Sequence, residues 1–463
     1  MMRLAPTRAA PVLALVALAV AAPLAAQSVR VRSTTTARYV QLRPILWDAD
    51  SARYEPQDVQ AATPVTQDFE VNGWGFGMDG LRAYGLLRVR GSLGSDLVWP
   101  RYGDHFDALA FYLEYEHANY KLRLGRQQKA SSLGWYGFDG LSAAWRPVSG
   151  VRAEGYAGRG MARGYLAPYG SRALSALDEL RPGVGTLLLG ATMTASTAKS
   201  AFTAIYQREV LRDRSGIVSE RVALDGNLDL GTLALAGTQE FDLATGESGK
   251  ARGAATLQLG QRMSVRGEIF RYVPTIDLTT IWGIFGPESH WGWTGTLQVT
   301  PWNFLALHGS YTERQYQAAP PGSLFGPDLP DRERELAAGG RIGGGGAQLS
   351  GTYRLQLDYG GRQEGGDAAL TFPAKSWRLG VKGTAFQRDG EFRVSNGTVF
   401  GVGIEARGRL RDRFDIRADA MRFMHRRQER VPASMGLDWN QTRATLSVEW
   451  TFGTNPDRQG GTR

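Results

Sequence analysis

Five histidines (His105, His117, His290, His308 and His425) are the side chains in this sequence best suited to moving protons near neutral pH. Two stand beside a group that could share such work, as Asp104-His105 and Ser289-His290, the kind of pair that activates a hydroxyl nucleophile. Neither sits in a recognisable catalytic motif, since Gly-x-Ser-x-Gly and His-Glu-x-x-His are both absent, and both read as ordinary loop or strand-end residues. Gly75-Phe76-Gly77-Met78-Asp79-Gly80 spells a dinucleotide fingerprint without the βαβ setting that gives those letters meaning, so a hairpin turn explains it better. Gly246-Glu247-Ser248-Gly249-Lys250 approaches a phosphate loop but has Ala251 where the hydroxyl residue belongs. The acidic stretch Asp48, Asp50, Glu55 and Asp58 offers oxygens to Ca²⁺ without the ordered spacing of a known loop. With no Cys among 463 residues, thiolate metal sites, disulfides and cysteine nucleophiles are excluded. The expectation is a protein without cofactor or metal that is not an enzyme, a hydrolase being the least favoured reading.

What remains is the chemistry of fixed charge, and its spacing is regular. From Gln348 to Tyr359, Leu349, Gly351, Tyr353, Leu355, Leu357 and Tyr359 alternate with Gln348, Ser350, Thr352, Arg354, Gln356 and Asp358. Period-two alternation places one set on each face of a strand. The same alternation sets Arg88 and Arg90 against Leu87 and Val89, and Glu114 and Glu116 against Leu113 and Tyr115. It predicts one polar wall carrying Arg88, Arg90, Glu114, Lys121, Arg123, Arg354, Arg378, Lys382, Arg407, Arg409 and Arg443, with Arg417 and Asp415 among the remaining members. Arg88/Arg90 and Lys121/Arg123 are the best candidates for a basic ladder. Basic and acidic members are nearly balanced, so the wall predicts a mild anion preference at most.

The composition says what kind of body carries that wall. Hydrophobic residues make up 42%, charged residues 21% and aromatic residues 10%, and 59 residues are Gly. The aromatic content speaks against disorder. No run beyond residue 26 is long and apolar enough for a membrane helix of roughly 20 residues. The net charge of +9 comes almost wholly from Arg, spread singly among acids instead of clustered, so no nucleic-acid partner is expected. Residues 1–26, with Arg3 and Arg8, an apolar run from Ala9 to Ala22 and Leu24-Ala25-Ala26 before Gln27, predict a cleaved signal peptide and export.

A soluble antiparallel sandwich alternates too. Here the alternating segments reach ten or more residues and continue from residue 29 to residue 452. Short turns such as 146–150, 300–303, 372–376 and 411–413 alternate with long polar connections such as 275–289, 317–332 and 427–438. The twelve Trp fall near expected strand ends, where an indole has both an apolar surface and a hydrogen-bond partner. Together these features predict an all-β fold, a transmembrane antiparallel β-barrel of about 18–22 strands in the cell outer membrane. Twenty-two segments can be counted, of which 69–77 and 365–372 are the weakest. Alternation begins at Val29, so no plug domain is expected. The barrel is expected over 27–452, with a periplasmic tail over 453–463.

Two short sequences carry a family resemblance. Leu124-Gly125-Arg126-Gln127 followed by Gly137-Phe138-Asp139-Gly140-Leu141 resembles the alginate-export type of outer-membrane porin, in which a Gly-Arg-Gln strand end neighbours a Phe-Asp-Gly strand start. The resemblance spans about 20 residues. It implies an 18-stranded barrel with a charged lumen that passes carbohydrate polyanions or small solutes. The closing segment Thr442 to Phe452, ending on Trp450 and Phe452, resembles the final strand that the outer-membrane assembly machinery reads, although eleven residues follow it here.

One connection stands apart. Residues 161–182 include Ser171 to Leu180, good helix formers behind a Ser cap, and are expected either to fold inward, bringing Arg172, Asp178 and Glu179 to a constriction, or to form a surface helix on the outer rim. The resulting expectation is a porin-like channel for passive diffusion of small hydrophilic solutes, anionic or carbohydrate among them, with outer-membrane lipid and the assembly machinery as partners. A homotrimer and a monomer both fit. The competing reading is a barrel with a filled lumen whose outer loops mediate adhesion or recognition.

Overall fold

The computed structural model describes residues 28–43, 45–48, 53–94, 106–164, 186–212, 216–273, 289–317, 332–358, 361–391, 395–411, 413–429 and 438–453. The signal segment, Arg172, Asp178 and Glu179, His105, Trp99 and Trp282 lie outside the described residues, as does the tail beyond Gly453.

Going up from the chain start, the strands are β1 (Ser28–Leu42), the small pair β2 (Ile45–Asp48) and β3 (Arg53–Pro56), then β4 (Gln60–Trp74), β5 (Leu81–Gly94), β6 (Phe106–His117), β7 (Tyr120–Ser131) and β8 (Gly134–Trp145). There follow β9 (Val151–Gly164), β10 (Thr186–Ser196), β11 (Ser200–Leu211), β12 (Ile217–Asp229), β13 (Leu233–Asp242), β14 (Glu247–Gln258), β15 (Met263–Tyr272) and β16 (His290–Trp302). The last eight are β17 (Leu305–Tyr316), β18 (Arg332–Gly343), β19 (Gln348–Asp358), β20 (Gly361–Ala374), β21 (Trp377–Glu391), β22 (Ser395–Leu410), β23 (Phe414–Glu429) and β24 (Trp439–Gly453).

Apart from β2 and β3, which pair only with each other, every strand joins one 22-stranded sheet. Each strand pairs antiparallel with its sequence neighbours, β1 passing directly to β4, and the sheet closes where β1 pairs β24 from Arg30↔Gly453 to Val40↔Arg443. The 18 strands implied by the alginate-export resemblance are therefore corrected to 22. The two weakest segments prove to be full strands, extended to Gln60–Trp74 and Gly361–Ala374.

Burial fixes the faces. Phe111, Leu113, Leu124, Leu141, Met193, Phe202, Leu224, Ile269, Val381 and Ile404 all stand exposed on the outside. On the opposite face of the strands Asp68, Arg88, Glu114, Gln207, Arg221 and Glu240 are buried on the inside. An inverted distribution of this kind, greasy without and charged within, is stable only where the solvent outside is hydrocarbon. The chain is a membrane-spanning β-barrel of the bacterial outer-membrane class. Going along the strands, those that meet at the end where β1 begins and β24 stops are separated by few residues, and the long intervals in the sequence, such as those between β5 and β6 and between β9 and β10, all follow strands that run to the other end.

Candidate solute path along the lumen wall

The β7–β8 hairpin departs from the wall. Its turn residues Ser132 and Leu133 reach β12, the fourth strand along from β8, about 19 Å around the wall at the usual strand spacing. There Ser132 Oγ donates to Asp225 Oδ2 at 2.9 Å, and Arg221 Nη2 donates to the Leu133 carbonyl at 3.0 Å and also to the Tyr136 hydroxyl. Leu133 is buried against Ile205 and Ala223. Arg221 in turn is held by Glu240, Nη1 to Oε1 at 2.9 Å, both side chains being under 10% exposed.

Below the turn, Tyr136, Phe138, Tyr156 and Leu188 pack as an apolar cluster on the lumen side. The Phe138 and Tyr156 rings lie 5.5 Å apart, and the Tyr156 hydroxyl donates to Gln207 Oε1 at 3.0 Å. Gly190 makes room: a Cβ there would lie 2.1 Å from the Tyr156 ring. The hairpin tip therefore leans inward and narrows the lumen; most of residues 161–182, where a constriction is also expected, lie outside the described residues. A signal was present in Trp135-Tyr136-Gly137-Phe138, where bulky aromatics occupy both faces and alternation fails. Trp135, counted with the interfacial Trp from sequence, is buried.

The residues that carry the family resemblance lie beside this hairpin. Gly125 pairs Gly140, Arg126 pairs Asp139 and Gln127 pairs Phe138. Arg126 faces outward and binds Asp139 through two bonds of 2.7 and 2.9 Å. A third bond, Nη1 to the Ala108 carbonyl at 2.9 Å, satisfies a backbone group freed where β5–β6 pairing shifts register between Leu86 and Leu87. Gln128 does the same for the Leu109 carbonyl at 3.1 Å. The motif holds a β-bulge together on the outer wall, while Gln127 points inward with Phe138 and bonds to Ser142 and the Gly140 carbonyl.

The expected lumen residues fall into two sets. Arg88 is buried and bound bidentately to Asp68 at 2.7 and 2.9 Å. Arg90 pairs Asp107 at 2.9 Å. Glu114 accepts from Lys121 at 3.3 Å and Arg123 at 2.7 Å, and Lys121 also meets Glu116 at 2.7 Å. Lys382 reaches Asp419 at 3.4 Å, and Arg443 donates to Gln441 while lying 5.2 Å over the Phe423 ring. These cations are engaged within the wall.

Arg354, Arg378, Arg407 and Arg409 are the contrasting set, exposed on the lumen side and without an ion pair among the described residues. Arg378 stands directly opposite Arg407, and Arg407 directly opposite Arg417, so three guanidinium groups line up across β21, β22 and β23. Among the described residues the row makes one ion pair, Arg417 with Asp415 at 3.1 Å. Continuing around the short-turn end, a cavity of about 560 Å³ is lined by Arg30, Arg32, Arg82, Lys121 and Arg123 with Glu70 and Glu114. Tyr84 and Tyr112 stack at 5.0 Å in it, and Arg123 lies 5.1 Å over Tyr112. Arg30, Arg32 and Arg82 were not singled out from sequence, although each shares the lumen parity of its strand.

Of the two histidine pairs, Asp104-His105 lies outside the described residues. His290 packs among Tyr272, Tyr316 and Phe270 at 5.1 to 6.1 Å between ring centroids. Gly75, Gly77 and Gly80 all have φ near +80°, the left-handed geometry of the β4–β5 turn.

No protein-family model matches this sequence, and no curated protein matches it. Solved barrels do align over most of its length. A BenF-like porin from Pseudomonas fluorescens is 10% identical, with 92% of this chain and 99% of that one covered and a TM-score of 0.43. OccK3 (OpdO) of Pseudomonas aeruginosa is 12% identical, covering 92% and 96%, with a TM-score of 0.40. The ferric citrate transporter FecA, unliganded, is 10% identical, covering 91% and 78%, with a TM-score of 0.48. At such scores the function has to be read from the lumen itself.

Proposed function

We propose that this protein is a passive channel of the bacterial outer membrane that carries small hydrophilic solutes and favours anions. The observation that carries the reading is the row Arg378, Arg407 and Arg417. Like charges directly opposite one another on neighbouring strands destabilise a sheet. A wall that needed only hydration would have no use for that repulsion, whereas an anion moving past relieves it. Arg30 and Arg82 continue the basic surface on one side of the cavity, Arg32 being paired with Glu70, and the Tyr84–Tyr112 stack offers a flat apolar platform. Ring-bearing acids, including acidic sugars, suit that combination. The hairpin tip at Ser132–Phe138 limits solute size on its side of the lumen.

The test is single-channel recording of the refolded mature protein in a planar bilayer under a KCl gradient. Stable open steps with a reversal potential of anion sign are expected. Replacing the row in R378Q/R407Q/R417Q moves the reversal potential toward zero or to cation sign while steps persist. Folded protein that never conducts overturns the channel, and an unmoved reversal potential overturns the role of the row.

A further inference from the structure

A recess in the lumen wall between β11 and β15 takes no part in the arginine row. It measures about 240 Å³, less than the roughly 300 Å³ at which pockets for drug-sized ligands begin, so it suits a small solute. Its floor is low because Ala201, Ala236 and Ala254 line it. Register sets what stands around that floor. Asp225 of β12 pairs Thr238 of β13, and Thr238 pairs Arg252 of β14, so a carboxylate and a guanidinium are carried at one level with a threonine between them. At about 4.8 Å per strand spacing their backbones are about 10 Å apart.

The two sides are opposite in charge, and neither is satisfied by the other. On the β12 side Asp225 Oδ2 accepts from Ser132, while Oδ1 is shut off from water and has no hydrogen-bond partner among the described residues. A carboxylate oxygen kept from water without a partner is costly, and Asp225 lines the recess, from which a partner can arrive. On the other side Arg252 and Arg266 meet the same oxygen of Glu268, at 2.7 and 3.2 Å, so two cations share one anion. Both guanidinium side chains stay open to the lumen, 58% and 42% exposed.

We infer that this recess binds zwitterions of amino-acid size, with the ammonium group at Asp225 and the carboxylate at Arg252 and Arg266. A simple anion would pair the arginines but stand against Asp225, and a simple cation would do the reverse. A neutral polyol would leave the charge on both sides unanswered. A molecule that carries both charges a few bonds apart pairs the two sides at once, through charge-assisted hydrogen bonds at each end. The inference rests on the channel reading, since solutes must enter the lumen to reach the recess, and it adds a stopping place for a class of solute that the basic row alone does not select.

The experiment measures binding of alanine, alaninamide, N-acetylalanine and glucose to the full mature barrel in micelles by ligand-observed NMR, with R378Q/R407Q/R417Q present so that the basic row takes no part. Binding in micelles needs no conduction, so failure here is separable from failure of the channel reading. Alanine binds. Alaninamide, which lacks the carboxylate, and N-acetylalanine, which lacks the ammonium, each bind about tenfold more weakly or worse, the scale of one lost bond to a charged group, and glucose binds no better than they do. Asp225→Asn keeps an oxygen for Ser132 to donate to and removes the charge alone. It lowers the affinity for alanine about tenfold and leaves that for N-acetylalanine unchanged, with folding shown by heat-modifiable migration. Glucose or either analogue held as well as alanine overturns the inference without any substitution in the recess. So does an Asp225→Asn protein that binds both ligands as before, or one that loses both alike, the mark of a damaged wall.

Discussion

Removing Arg221 should release the β7–β8 hairpin from the far wall. Its guanidinium makes two of the three hydrogen bonds that tie the tip down, to the Leu133 carbonyl and the Tyr136 hydroxyl. Hydrogen bonds to a charged group contribute about 1.5–3 kcal/mol each, so Arg221→Ala removes about 3–6 kcal/mol of docking, and leaves Glu240 buried without its cation. What remains is the Ser132–Asp225 bond and the packing of Leu133 on Ile205 and Ala223. Because the chain has no Cys, a single Leu133→Cys substitution reports on the tip alone. Thiol labelling of Cys-substituted protein in micelles should run about a hundredfold faster in the Arg221→Ala background, the factor that 3 kcal/mol of lost docking gives when opening limits labelling. The double variant R221M/E240L separates local from global effects: it removes the buried charge on both sides, spares the barrel, and still frees the tip. Labelling that is equally slow in all three backgrounds, with folding shown by heat-modifiable migration, would refute the docking argument.

Other expectations follow from the same geometry. Gly140→Ala should block assembly of the folded barrel on a gel-shift assay, since its Cβ would lie 2.0 Å from the Ala157 carbonyl oxygen, a backbone atom that cannot swing away. Arg126→Ala should cost about 1–3 kcal/mol in urea unfolding, discounted for a partly exposed pair, and Arg126→Lys should not restore it because the bidentate contact and the Ala108 cap need the guanidinium fork. Arg88→Ala should cost about 3–5 kcal/mol by leaving Asp68 charged and buried, whereas R88M/D68L should recover most of it.

The inside and outside of the strands were legible because the two solvents differ so sharply that each strand must alternate. Gln348 to Asp358 shows it in full, and its pairing with β18 and β20 follows the expected parity. Strand β4 was only half seen, because outward Gln67 is polar: it is satisfied by Ser33 and Thr35 of β1, partners that no local reading of residues 60–74 can supply. The same limit applied to charge. Arg88 and Arg378 look alike in sequence, yet one is consumed by Asp68 and the other faces Arg407, because the cross-strand neighbour is set by register and not by spacing along the chain. The inward hairpin was missed for a related reason, since its anchor, Arg221, comes some ninety residues later in the chain.

The seam between β1 and β24 has a consequence for biogenesis. The first strand finds one of its two partners only when the last has been made, and Gln41 meets Gln441 and Thr442 across nearly the whole chain. Until then both β1 and the most recently added strand present open edges, with unpaired backbone donors and acceptors that hydrocarbon will not tolerate and that invite pairing with other chains. A product broken off before residue 439 has no way to heal that gap by itself, so closure doubles as a length check: only a chain that includes β24 can leave water.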